Sequence, residues 1–210
     1  IDKTISSIMI LPKYEKRDYP LFFLNEIKKY IKKDKIQKLK KNIPENLEEK
    51  RRICENDSPI SEIIRRDSID DFTSFVSKNN LALTSKIEHS IFETNPFLIK
   101  KNPTLIEYAA FYGSIQIFKY LHKNNVELTK SLWIYSIHSQ NPELINLLEK
   151  NHIEPEDSTY ENCLIEAIKC HHIEMANYIL ENLIPKKEDE NGGEPKIERK
   201  MKQNFYSSAI

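Results

Sequence analysis

Asn102-Pro-Thr-Leu-Ile-Glu-Tyr-Ala-Ala-Phe-Tyr-Gly-Ser-Ile-Gln-Ile-Phe-Lys-Tyr-Leu-His-Lys-Asn-Asn-Val-Glu-Leu128 is the stretch whose reading decides the fold. Pro103-Thr104 supplies a helix start, and Leu105, Ile106, Ala109 and Ala110 recur at helical spacing behind it. Gly113 lacks a Cβ and so takes the positive φ that ends a helix in a tight turn. A second short helix follows, with Ile115, Ile117, Phe118 and Leu121 as its apolar set, and Lys123-Asn124-Asn125 closes it. A helix, a turn, a helix and a loop cannot bury their apolar side alone, so the unit requires neighbours of its own kind.

Such neighbours can be read on both sides. Asp57-Ser58-Pro59 opens a segment in which Ile60, Ile63 and Ile64 form one short helix, followed by a second with Ile69, Phe72, Phe75 and Val76. Lys78-Asn79-Asn80-Leu81 closes this segment with nearly the same string as Lys123-Asn124-Asn125-Val126. After the central unit, Ser131–Ile137 and Glu143–Leu148 form a further pair closed by Lys150-Asn151-His152-Ile153. Leu164, Ala167 and Ile168, then Ile173, Met175, Ala176 and Ile179, form another closed by Glu181-Asn182-Leu183-Ile184. The last three closing strings begin at 123, 150 and 181, steps near thirty residues that mark a helical repeat array. The fold expected is all-α: an N-terminal helical region over 1–57, then repeats at 58–81, 102–128, 129–153 and 160–184, with an irregular unit at 82–101. Residues 185–203 carry Asn191-Gly192-Gly193 and eleven charges of mixed sign and read as a flexible linker. Residues 204–210 read as the start of a further repeat, and both chain ends read as cut from something longer.

Composition narrows the function classes. Of 210 residues, 32 are basic and 32 acidic, so no net field draws the chain to nucleic acid or membrane. Three glycines argue against an all-β fold and against glycine-cradled phosphate sites. Cys54, Cys163 and Cys170 are too few for a disulfide framework, which points to a reducing, intracellular and cytoplasmic setting. No apolar run is long enough for a membrane span. Neither a nucleophile elbow, an H-E-x-x-H, a P-loop nor a dinucleotide fingerprint occurs, so no catalytic residue, cofactor or small-molecule substrate is expected. Cys163, Cys170, His171 and His172 invite a zinc reading. However, Cys170, His171 and His172 are consecutive and point in different directions, so no metal is expected there. Trp133, the one tryptophan, is expected to be buried between units.

The string Thr104–Phe118 resembles an ankyrin repeat, a family that writes Thr-Pro-Leu-His-x-Ala-Ala-x-x-Gly-His before an apolar second helix. Thr104, Ile106, Ala109, Ala110, Gly113, Ile115, Ile117, Phe118 and Leu121 stand where that family places structural residues, and His172-Ile173-Glu174-Met175 is similar to its His-Leu-Glu-Ile. The likeness is closest to divergent ankyrin-like proteins of protists. It departs from the family at Glu107, which replaces a His, and at Asp67, Gln140 and His171, which replace turn glycines. Its steps of 27 and 31 are also shorter than the usual 33, which shortens the family's hairpin fingers. The resemblance implies a non-catalytic scaffold that binds another protein on the concave face of its first helices. Aligned there are Arg65, Arg66, Phe111, Tyr112, His138 and Lys169, a ridge of the aromatics and cations enriched in binding hot spots. The other reading of these residues is that Phe111 and Tyr112 pack between units and the rest are solvated. A rival from another class is an electrostatic tether to nucleic acid or anionic membrane through the lysine-rich helix from Lys28 to Lys41, although its interleaved Ile31, Ile36 and Leu39 also fit a solvated amphipathic helix.

Overall fold

The computed structural model describes residue 50 and residues 53–90 and 92–184. The lysine-rich helix at 28–41, the linker at 185–203 and the unit begun at 204 lie outside the described residues. Nine α-helices run between Pro59 and Tyr178, and no strand occurs among the described residues. They are α1 (Pro59–Arg65), α2 (Ile69–Asn79), α3 (Pro96–Ile99), α4 (Leu105–Tyr112), α5 (Ile115–Lys123), α6 (Leu132–Ser139), α7 (Pro142–Lys150), α8 (Glu161–Lys169) and α9 (Ile173–Tyr178). A five-residue π-turn, Ile179–Leu183, extends α9.

Two compact units share the chain. The first takes residues up to Ile63 and Lys86–Pro103; the second takes Ile64–Ser85 and the chain from Thr104 onward. The segment read as an irregular repeat, 82–101, is therefore divided at Lys86.

Among the described residues of the first unit, polar side chains link the chain around a few buried apolar groups. Ile87, Phe92 and Leu98 are buried. The buried Asn56 accepts from the Ser58 amide and donates to the Glu88 carbonyl at 2.7 Å, which ties the turn before α1 to the segment around Glu88. Asp57 accepts from Lys50 and from Ser90, each at 2.6 Å. Burial alone would raise its carboxyl pKa, but those two partners outweigh burial and hold it below the usual value. Asn95 caps α3 by accepting from the Phe97 and Leu98 amides.

Along the chain the helices follow one another in pairs, α1 with α2, α4 with α5, α6 with α7, and α8 with α9; all of these but the first five residues of α1 belong to the second unit. A left-handed residue stands one or two positions beyond each first helix: Asp67 (φ 52°), Gly113 (φ 73°), Gln140 (φ 53°) and His171 (φ 57°). The closing strings repeat the device at Asn80 (φ 49°), Asn125 (φ 61°) and His152 (φ 53°). Only one of these seven positions is glycine, so the turns persist where the sequence lacks the residue that makes them cheap.

The next residue of the turn reaches back to the preceding pair. Ser114 Oγ donates to the Ile64 carbonyl at 2.6 Å, Asn141 Nδ2 to the Gly113 carbonyl at 3.2 Å, and His172 Nδ1 lies 2.9 Å from the Ile137 carbonyl. A carbonyl only accepts, so Nδ1 of His172 carries the hydrogen. Asp67 satisfies the start of α5 by accepting from the Gln116 and Ile117 amides, both at 3.0 Å.

Helix α6 packs against α4 on one side and α8 on the other. That sandwiching explains why α4 and α6 are apolar nearly all round, with Leu105, Ile106, Tyr108, Ala109, Ala110 and Phe111 buried in one and Leu132, Trp133, Tyr135 and Ile137 in the other. The second helices bury only one stripe each, such as Ile117, Phe118 and Leu121 in α5 and Leu144, Ile145 and Leu148 in α7.

Glu107, which stands where the resembled family has a histidine, closes a capping box. It accepts from the Thr104 amide at 2.8 Å and from the Thr104 hydroxyl at 3.0 Å, while its own amide donates to Thr104 Oγ1. Its other oxygen accepts from Ser131 Oγ at 2.5 Å, which ties α4 to the residue before α6. Glu107→Ala removes the three bonds that its carboxylate accepts, leaving the amide bond to Thr104 Oγ1, and we expect a loss of about 1–2 kcal/mol in chemical denaturation, against a few tenths for Glu143→Ala on the exposed start of α7.

Candidate functional site

The left-handed turns put the first helices in a common frame, and the ridge aligned from sequence falls along them. Arg65 ends α1; its guanidinium donates to the Tyr108 hydroxyl at 3.0 Å and lies 5.8 Å from the centre of the Tyr112 ring. Tyr112 packs on Tyr108 with ring centres 4.8 Å apart and edge-on to Phe111 at 5.0 Å. Phe111 then stacks on His138 of α6, at 4.6 Å and 30° between planes.

From His138 the row continues into α8. Its Nε2 lies 3.3 Å from a Glu166 carboxylate oxygen, and its Nδ1 lies 3.5 Å from Cys170 Sγ. The second Glu166 oxygen pairs with Lys169 Nζ at 3.4 Å. Five of the six ridge residues thus belong to one connected row: Arg65, Tyr112, Phe111, His138 and, through Glu166, Lys169. Arg66 is exposed at the end of α1.

The row is not equally open along its length. Phe111 is 8% exposed and the His138 side chain 9%, so both are largely packed between neighbouring helices. Tyr112 and Arg65 are half-buried, whereas Arg66 and Lys169 are exposed. Tyr108, Glu166 and Cys170 complete the row without standing among the six ridge residues aligned from sequence. Counting back from the turn residues Gly113 and His171 makes Glu166 the α8 counterpart of Tyr108, and Cys170 that of Tyr112.

No family model, no curated protein and no solved structure matches the chain. The chemistry of the row must therefore be read from its own groups.

The carboxyl of Glu166 is held below the usual value, first by its hydrogen bond to His138 and then, against the opposing effect of burial, by the charges of Lys169 and His138. The Cys170 thiol is pushed up to about 11, chiefly by burial and next by Glu166. Cys163, buried in α8, is pushed up to about 12, again chiefly by burial. Thiols raised in this way are protonated at neutral pH, and Cys170 is a poor nucleophile despite the adjacent His138 imidazole. The zinc set considered from sequence is dispersed: Cys163 is in the core, His171 is exposed in its left-handed turn, and His172 is hydrogen-bonded to the Ile137 carbonyl. Cys170 instead faces His138 and Glu166, a grouping in which nitrogen, oxygen and sulfur atoms all lie within 4.8 Å of one another. Among the described residues, no helix is long and apolar enough to cross a membrane.

Proposed function

We propose that the second unit is an ankyrin-like helical-repeat solenoid and that the chain is a non-catalytic scaffold binding another protein on the first-helix face. The observation that carries this reading is the row from Arg65 through Tyr112, Phe111 and His138 to Lys169, which crosses all four helix pairs without a break. Tyrosine and arginine are the residue types that supply most interface energy, and here they sit on short rigid helices that lose little entropy on binding. The buried members, Phe111 and His138, fix the geometry, while Tyr112, Arg66 and Lys169 offer themselves to a partner. Three cysteines, too few for a disulfide framework, fit a reducing, cytoplasmic setting.

The test uses exposed or half-exposed positions, so that folding is preserved. A triple variant Arg66→Glu, Tyr112→Ala and Lys169→Glu, with unchanged helical circular dichroism, is compared with the natural chain in affinity capture at about 0.15 M and about 1 M salt. We expect a protein that survives high salt on the natural chain and is lost from the variant. Capture that collapses with salt and ignores the variant would transfer the function to the lysines between Lys28 and Lys41, because counterion release makes phosphate binding steeply salt-dependent.

A further inference from the structure

We propose that His138, Glu166 and Cys170 form a binding site for one divalent cation of the zinc class, joining α6 to α8. The site has two arms. Glu166 and Cys170 are four residues apart on α8 and its C-terminal cap, a spacing that puts both side chains on one helix face. His138 comes from α6, packed alongside. One nitrogen, one carboxylate oxygen and one sulfur lie within 4.8 Å of one another.

The distances suit an ion of this class. Tetrahedral arms of about 2.0 Å to nitrogen and about 2.3 Å to sulfur set the two donors about 3.5 Å apart. The separation between His138 Nδ1 and Cys170 Sγ is 3.5 Å. Glu166, which lies 3.3 Å from the other ring nitrogen, turns one oxygen toward the ion to complete the set, with a carboxylate reach of about 2.0–2.2 Å. The supporting contacts are in place: Phe111 stacks on the imidazole and fixes its plane, and Lys169 holds the other Glu166 oxygen.

Donor chemistry selects the ion. A thiolate excludes magnesium and calcium, which take oxygen ligands, while a mixed nitrogen, oxygen and sulfur set suits Zn²⁺ and its spectroscopic substitute Co²⁺. Three protein ligands leave a fourth position for water. On binding, Cys170 loses its proton to solvent and the ion–sulfur bond forms, with no change of oxidation state.

This inference needs no protein partner, so its failure leaves the binding-scaffold reading untouched, and the reverse also holds. The experiment is titration of the reduced full chain with Co²⁺, following the near-ultraviolet thiolate-to-cobalt band and the visible bands of tetrahedral cobalt, with Zn²⁺ as competitor. We expect both sets of bands to appear at one equivalent, to be displaced by Zn²⁺ and to persist in Cys54→Ser. Cys170→Ser should lose the thiolate band, and Glu166→Gln and His138→Gln should weaken binding at least about tenfold, 1.4 kcal/mol. Should Cys170→Ser not fold, as judged by circular dichroism, Glu166→Gln carries the test, because its charge can be removed with little change of shape. Absence of a thiolate band in the natural chain, a band retained by Cys170→Ser, or affinity unchanged in Glu166→Gln would each overturn the proposal.

Discussion

Replacing Trp133 by alanine is expected to lower the unfolding free energy of the second unit by about 3–5 kcal/mol, the cost of emptying a large buried aromatic site. Trp133 is fully buried, as the sequence reading expected, and its ring meets Tyr160 edge-on at 5.0 Å. Its indole Nε1 donates to the Ile153 carbonyl at 2.5 Å, so α6 is pinned to the string that closes α7. The position magnifies the damage, because α6 packs on α4 and on α8 and its loosening disturbs both contacts. Against a typical domain stability of 5–15 kcal/mol, this is a large share. Trp133→Phe keeps most of the ring but strands the Ile153 carbonyl, and should cost about 1–3 kcal/mol. Urea denaturation followed by circular dichroism measures both variants. A Trp133→Ala midpoint indistinguishable from the natural one would mean that the α6–α7 pair contributes little to the folded unit.

The helix pairs were legible because their signals are local. Pro103-Thr104 and Gly113 bracket α4, and Thr104 and Gly113 are its observed caps. The matching strings Lys78-Asn79-Asn80 and Lys123-Asn124-Asn125 both end on a left-handed asparagine, a residue that tolerates that backbone better than most. The fourth closing string behaves differently, because Ile179–Leu183 winds on as a π-turn. Glu107 was read as a departure from a family pattern, yet a Thr followed three residues later by Glu is itself a capping box, and that local chemistry decided the structure.

The row of side chains was less legible, for a physical reason. Equivalent positions in successive repeats align by counting from the turns, and this was enough to bring Phe111 beside His138. Which residue of α8 meets His138 depends on the sideways register of two helices, which no single helix encodes. The alignment therefore paired His138 with Lys169, whereas the observed neighbours are Glu166 and Cys170, one turn apart. The same ignorance of depth hid the fact that Phe111 and His138 are mostly covered while Tyr112 is only half-buried. The described part of the first unit was the least legible, since bonds such as Asn56 to Glu88 join it across the chain without any repeating pattern.

The four left-handed turns give a set of predictions with opposite signs. Gly113 has φ 73°, and a Cβ there would come within 3.3 Å of Ser139 Cβ and 3.6 Å of Asn141 Cβ. Gly113→Val meets both a forbidden backbone and that crowding, and should cost about 2–4 kcal/mol. Gln140 and His171 hold the same backbone with full side chains, exposed to solvent, and so carry the left-handed cost of about 1–2 kcal/mol each. Gly at either position removes that cost and gives back part of it as unfolded-chain entropy, for a net gain of about 0.5–1 kcal/mol. Asp67 breaks the pattern, because its carboxylate caps the Gln116 and Ile117 amides. Asp67→Gly therefore trades relief for a lost cap of about 1 kcal/mol and should come out neutral or destabilising. Denaturant midpoints of the four single variants decide the matter. Gains at Gln140 and His171 with none at Asp67 would show that one backbone geometry recurs at every turn and that Asp67 is retained for its cap. A gain at all three would mean that the Asp67 bonds to α5 contribute nothing to stability.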